Sequence, residues 1–261
     1  MSRVKLAGML AVIVGLANAP LSRGEQLAKS KELQVLFIGN SQVFYNDLPR
    51  TVEALAESAP LERPRIKADR FVSGGASLER LWNAGEGKGT ARAKIAEKKW
   101  DFVILQEIYN VKVEAFNKYA PLFYDAIQKN GSRTVLFCTA SISQMFPKGF
   151  DDLHDMHIAL GKKLQVPVAA AGKAWLTYWG DKPTDEQRLA LYDRDKAHPG
   201  QKGSYIYACT LYAVLTGQSP VGLSHRIPKQ AEDAVTAAQA KLFQQAAWKV
   251  HQEVNTEKAP K

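Results

Sequence analysis

A chain of 261 residues, 46% hydrophobic and 23% charged, can bury one substantial core; neither a second full-sized domain nor a long disordered segment fits that composition. The formal net charge of +9 is scattered, with Lys98–Lys99, Lys162–Lys163 and Arg226 with Lys229 set among Glu and Gln. A nucleic-acid footprint needs a clustered basic stripe, so this charge reads as a solvated surface and no nucleic-acid partner is expected.

At the N-terminus, Arg3 and Lys5 precede an almost unbroken apolar run from Leu6 to Leu16, followed by the small residues Ala17 and Ala19. This is the pattern of a secretory signal peptide over residues 1–19. The run falls short of the about 20 apolar residues that span a bilayer. Pro20 disfavours cleavage directly after Ala19, and no nearby cysteine offers a lipid site. The expectation is an exported protein, periplasmic or secreted, with no stable membrane insertion once the signal is cleaved. An uncleaved amphipathic anchor is the alternative.

After a polar linker (22–32), Gln34–Ile38 reads as a buried strand, and Pro49–Ser58 as a helix with Asp47 as its N-cap. Ile66–Val72 is a weaker second strand. A lysine-rich amphipathic helix from about Ala91 precedes a third strand, Asp101–Gln106. Phe116–Lys129 is helical and stops at Asn130-Gly131. Thr134–Thr139 is the fourth strand, Asp152–Leu164 a helix, and Val166–Ala170 a short fifth strand. The helices Ser204–Thr216 and Ala231–Gln252 close the chain. Cys138, in an apolar strand, and Cys209, in an apolar helix, read as small buried hydrophobes.

Apolar strands alternating with helices predict an α/β fold, a three-layer α/β/α sandwich around a mostly parallel sheet of about five strands. It occupies about residues 33–222, and a C-terminal helix at 230–253 packs on the same domain. Right-handed crossovers bring every strand's C-terminal end to one edge, where ligands bind.

The residues predicted at that edge carry chemistry. Gly39-Asn40-Ser41 follows the first strand, Ser73-Gly74-Gly75-Ala76 the second and Gln106-Glu107 the third, while Asp195-Lys196-Ala197-His198-Pro199 lies near the chain's end. A serine hydroxyl needs a neighbouring imidazole to take its proton, and Asp195, three residues before His198, can hold one ring nitrogen. The Ser41 N–H, the Gly74 N–H and the Gln106 amide are candidate oxyanion donors. Asn40, Gly75, Glu107 and Tyr109 are candidate substrate contacts. A second Asp-x-x-His, Asp151 to His154, sits in a helical pattern where i,i+3 pairing is routine, and with His157 it lacks further metal ligands, so no metal is expected.

Together, FIGNS, SGGAS, VILQE and DRDKAHPGQKGSYIYA resemble the SGNH, or GDSL-like, hydrolase superfamily, and most of all a GNS-type subgroup often labelled only as a domain of unknown function. The similarity runs from about Val35 to Pro220. It implies a flavodoxin-like sheet, a mechanism without metal or cofactor, and ester hydrolysis through an acyl-enzyme. Ser41 matches the family nucleophile, Gly74 the second-block glycine, and Asp195 and His198 the acid and base. The usual Asn of the third block is replaced by Gln106, as in the sialate and xylan acetylesterase branches. The expected substrate is therefore a small-molecule or polysaccharide ester, an O-acetylated carbohydrate first, with Tyr45, Trp82, Tyr109 and Trp175 as candidate sugar-stacking aromatics. A lipid-directed esterase and a non-catalytic glycan-binding module are the competing readings.

Overall fold

Strands that are apolar on both faces are stable only when covered twice, and that requirement sets the architecture. The computed structural model describes residues 31–226 and 234–255; the expected signal segment lies outside the described residues. Five strands, β1 (Glu32–Gly39), β2 (Arg65–Val72), β3 (Phe102–Gln106), β4 (Arg133–Cys138) and β5 (Val168–Ala170), form one sheet in the order β2-β1-β3-β4-β5. Every neighbouring pair is parallel. Ile38, Leu105, Leu136 and Val168 lie in register across four strands, and all are buried. Each such side chain contributes about 1.5–3 kcal/mol by leaving water.

Helices cover both faces. On one side α2 (Leu48–Ser58), α7 (Ala171–Trp179), α9 (Gln201–Thr216) and α10 (Ala237–Asn255) pack on one another. On the other, α3 (Leu78–Asn83), α4 (Ala91–Ala96), α5 (Val113–Lys129) and α6 (Lys148–Leu164) form the second layer. Two short helices, α1 (Ser41–Phe44) and α8 (Asp185–Leu189), complete the set of α-helices among the described residues. No helix among these residues is long and apolar enough to cross a membrane.

Where elements depart from expectation, local hydrogen bonding gives the reason. The fifth strand begins at Val168, not Val166, because the Val166 N–H closes α6 by bonding Gly161 O (3.0 Å) and Pro167 has no N–H. The last helix begins at Ala237; residues 231–233 lie outside the described residues, and Thr236 and Gln239 exchange side-chain-to-backbone bonds of 3.3 and 3.2 Å, a reciprocal cap. Asp47 occupies the cap position of α2 but makes no capping bond; its backbone is left-handed (φ 48°) and its carboxylate pairs with Arg70 at 3.1 Å. The periodic pattern missed α1, α3, α7 and α8. In α7, Gly172 lets the helix cross the β4 exit closely: a Cβ there would lie 2.6 Å from Thr139 O. Cys138 and Cys209 are both free and buried.

Gly203 is the tightest such contact in α9. A Cβ there would sit 2.3 Å from both Leu191 O and Trp175 Cζ2, while Trp175 Nε1 donates to Gly203 O at 3.3 Å. Gly203→Ala is expected to destabilise the fold by about 1–3 kcal/mol, read as a lowered Tm in thermal unfolding.

Candidate active site

Asn40 begins the site. It ends β1 in extended conformation, and its Oδ1 accepts the Gln42 N–H (3.1 Å), so it is the N-cap of α1. Ser41 is then the first helical residue, and its N–H has no acceptor within the helix. The Ser41 hydroxyl projects from the edge of the sheet and lies 2.8 Å from His198 Nε2. The other ring nitrogen, Nδ1, is 2.5 Å from Asp195 Oδ2. The sequence-predicted serine, histidine and aspartate thus stand in one continuous line of hydrogen-bonding contacts.

A tight hairpin presents Asp195 and His198. Its stem pairs Tyr192 with Pro199, and the Asp193 N–H bonds His198 O at 2.8 Å. Lys196 takes a left-handed conformation (φ 59°) at the tip, and the N–H groups of Ala197 and His198 both donate to Asp195 Oδ1 at 2.9 Å. Burial pulls the Asp195 carboxyl upward, but the bonds from the His198 ring and the two backbone N–H groups outweigh it and hold it at about 2. Asp195 is therefore ionised at neutral pH, as an orienting acid must be. The hairpin is fastened to the β4 exit by Tyr192 Oη donating to Ser141 O (2.6 Å) and by the Ser143 N–H donating to Lys196 O (3.0 Å).

The second block forms a turn in which the Ala76 N–H bonds Ser73 O (3.1 Å) and Gly75 has φ 64°, a conformation that favours glycine. Two bonds fix this turn beside the nucleophile: Ser73 N–H to Gly39 O (3.1 Å) and Asn40 Nδ2 to Ala76 O (3.0 Å). Gly74 and Gly75 are exposed, and the Gly74 N–H makes no hydrogen bond within the described residues. It is an unpaired donor, among the described residues, on a turn bonded to the two residues just before Ser41.

Gln106 is placed differently from expectation. The residue is fully buried; its Oε1 accepts the Asn40 N–H at 2.9 Å and its Nε2 donates to Glu107 O. Ile38 pairs with Leu105 across the parallel ladder, so Gln106 lies beside Gly39 and its longer side chain folds back under the nucleophile turn. It braces Ser41 from below and does not aim a third donor at the oxyanion. Asn40, at 1% exposure, is likewise a cap and cross-brace and not a substrate contact. Glu107, at 2% exposure, accepts N–H bonds from Leu78 (3.1 Å) and Ile108 (2.7 Å), tying the start of α3 to the end of β3. Burial dominates its titration and, against those two bonds, raises its carboxyl to about 7.

The aromatic candidates divide. Trp175 is fully buried among Trp179, Tyr192 and Tyr207, and Trp82 is covered by Arg92 and Phe123, so both are packing residues. Tyr109 is half-buried on the wall of an open cavity of about 610 Å³, together with Val111, Val113, Met145 and Met156 and with Asp152 and Asp155; Ser41, Asp195 and His198 do not line it. Tyr45 lies flat against the His198 ring. The sequence offered it as a candidate sugar-stacking aromatic; its stacking partner, far away along the chain, is the imidazole. His157 belongs to the core: it is buried against Phe116, with Nδ1 2.7 Å from Leu153 O.

The raised carboxyl of Glu107 has a measurable consequence. A native value above the ordinary 4.5 means that this group's contribution to stability is full below pH 4.5 and is lost as pH rises through about 7. Glu107→Gln keeps an acceptor for the two N–H groups and removes the titration. Compared at pH 5 and pH 8, the variant is expected to gain on wild type with rising pH, by up to about 3 kcal/mol, read from urea or thermal unfolding of both proteins.

No protein-family model and no curated protein matches the sequence. Solved structures do match. A DUF4886 family protein from Bacteroides uniformis aligns with a TM-score of 0.66 at 17% identity, over 88% of this chain and 98% of that one. A protein from Slackia heliotrinireducens, assigned to the SGNH hydrolases, aligns at 0.56 and 21% identity, over 71% of this chain and 100% of its own. A variant of an acetyl-xylooligosaccharide esterase from Geobacillus aligns at 0.55 and 13% identity, over 71% and 95%. The chain has the fold of the SGNH, GDSL-like hydrolase superfamily.

Proposed function

We propose that the protein is a serine ester hydrolase that removes acyl groups, acetyl first, from carbohydrate. One observation carries this reading: Ser41 Oγ, His198 and Asp195 stand in an unbroken line of 2.8 and 2.5 Å contacts beside two free backbone N–H groups. In this mechanism His198 Nε2 takes the hydroxyl proton as Oγ attacks the ester carbonyl. The carbonyl oxygen becomes an anion held by the N–H groups of Ser41 and Gly74, and Asp195 stabilises the imidazolium. The imidazolium gives its proton to the departing alkoxide, leaving an acyl-Ser41 ester. Water repeats the sequence, with His198 as base, and frees the acid and the serine.

The likeness to an acetyl-xylooligosaccharide esterase supports carbohydrate acetyl groups as the substrate. A likeness in fold to a GDSL-family lipolytic protein from Desulfitobacterium hafniense (TM-score 0.51, 14% identity) favours a second reading on the same machinery, an esterase for longer acyl chains such as those of lipids. A non-catalytic glycan-binding module has less support, because the relay is intact.

Hydrolysis of p-nitrophenyl acetate by purified protein is expected to fall by at least about 10⁴-fold in Ser41→Ala. Equal rates for variant and wild type would remove the nucleophile assignment. Rates for acetyl against octanoyl esters, with acetate release from acetylated xylan, separate the two substrate readings: an acetyl preference supports the first and an octanoyl preference the second.

A further inference from the structure

The short turn that carries Ser41 also grips the hairpin that carries His198. Gln42 Nε2 donates to Ala197 O at 3.0 Å, and Asn46 Nδ2 donates to Pro199 O at 2.8 Å and to Ser204 Oγ at 2.9 Å. The carbonyls on either side of His198 are thus held by two side chains from one segment. Between them lies Tyr45, its ring stacked on the imidazole with centroids 4.1 Å apart and planes 8° from parallel. Asn46 and Asp47 are consecutive left-handed residues (φ 51° and 48°), a conformation that Asn and Asp tolerate better than most, and it breaks the helical path between α1 and α2.

The relay needs such a wall. The Asp195 side chain is 42% exposed and that of His198 24%, so water competes for their contact. The Cβ–Cγ bond and the Nδ1 contact to Asp195 both hold one edge of the ring, so the far edge, which carries Nε2, is the least restrained against roll. A flat aromatic face against the imidazole blocks the roll and keeps Nε2 aimed at Ser41 Oγ.

We propose that Tyr45 is a positioning residue for His198, with Gln42 and Asn46 completing a clamp built into the nucleophile's own turn; this rests on reading Ser41, His198 and Asp195 as the catalytic relay. The stacked ring face does the positioning; the hydroxyl, which faces Asp193 of the same hairpin, is not needed for it. Nucleophile and base are therefore carried by two chain segments that behave as one rigid unit, and loss of the ring costs rate, not substrate binding.

Three forms of the full chain test this: wild type, Tyr45→Leu and Tyr45→Phe. Labelling of wild-type Ser41 by a fluorophosphonate probe tests the underlying relay; no labelling of folded wild type would remove that reading, and the clamp with it. Given labelling, Tyr45→Leu is expected to label, and to turn over p-nitrophenyl acetate (kcat), about 10- to 100-fold more slowly with KM within about twofold. Tyr45→Phe is expected to stay within about threefold of wild type. Labelling of Tyr45→Leu at the wild-type rate would overturn the proposal while leaving the relay intact. An equal loss in Tyr45→Phe would overturn the assignment to the ring face. Independently of any variant's folding, the His198 Hε1 proton in wild type is expected to be shifted upfield by the stacked ring. A resonance at the ordinary position of an unstacked histidine would also overturn the proposal.

Discussion

A buried amide brace under the nucleophile turn is the constraint on which the rest of the site depends. Gln106 reaches from β3 to the Asn40 N–H, and Asn40 reaches on to Ala76 O in the turn after β2. Both side chains are essentially out of water, so their polar atoms must be paired within the protein. Leaving one buried partner unsatisfied costs about 1–3 kcal/mol. That penalty locks three neighbouring strand ends into one arrangement, and Ser41 and the Gly74 N–H take their places from it. Gly39 is part of the same brace: a Cβ there would meet Gln106 Oε1 at 2.5 Å, so this close approach requires the absence of a side chain.

His198 and Asp195 are organised in the opposite way. Their hairpin lies at the surface and is held by its own short bonds, with Asp195 Oδ1 taking two backbone N–H groups and Oδ2 the imidazole. Exposure limits the cost of burying a charge, and the bonds from the imidazole and two backbone N–H groups keep the carboxylate ionised against the burial that remains. It also makes the hairpin depend on neighbours for its aim. Tyr192 and Ser143 fasten it to the β4 exit, and the Gln42–Asn46 segment faces it from the side of the nucleophile. A rigid, dry brace beneath and a wet, clamped hairpin above meet at one contact between Ser41 and His198.

Much of this was legible in the sequence. QVLFI, DFVILQ and TVLFCT are apolar on both faces, which specified covered parallel strands, and the parallel order specified which ends converge. Ser41 was marked by its place after QVLFI, Gly74 by its place after the weaker RFV strand, and Asp195 and His198 by their three-residue spacing after all the strands. Side-chain direction was not legible. Gln106 looked like an oxyanion donor because residue type and position in the chain do not reveal which neighbour lies across the ladder. Only the register of β1 on β3 turns its amide inward. Glu107 was misread for the same reason. Trp175 and Tyr45 are both aromatics near loops in the sequence, yet one is core and the other faces the imidazole, a difference set by long-range packing. Helix α7 escaped the periodic pattern because it is apolar nearly all round, as a helix wedged between the sheet edge, α9 and α10 must be.

The central claim is that Ser41 carries the acyl group between two half-reactions. Rapid quenching of wild-type protein during turnover of an acetyl ester, followed by peptide mass analysis, tests it most directly. The account predicts an acetyl group on the peptide containing Ser41, formed during turnover and lost as substrate is exhausted. Steady hydrolysis with the acetyl group on another residue would contradict it.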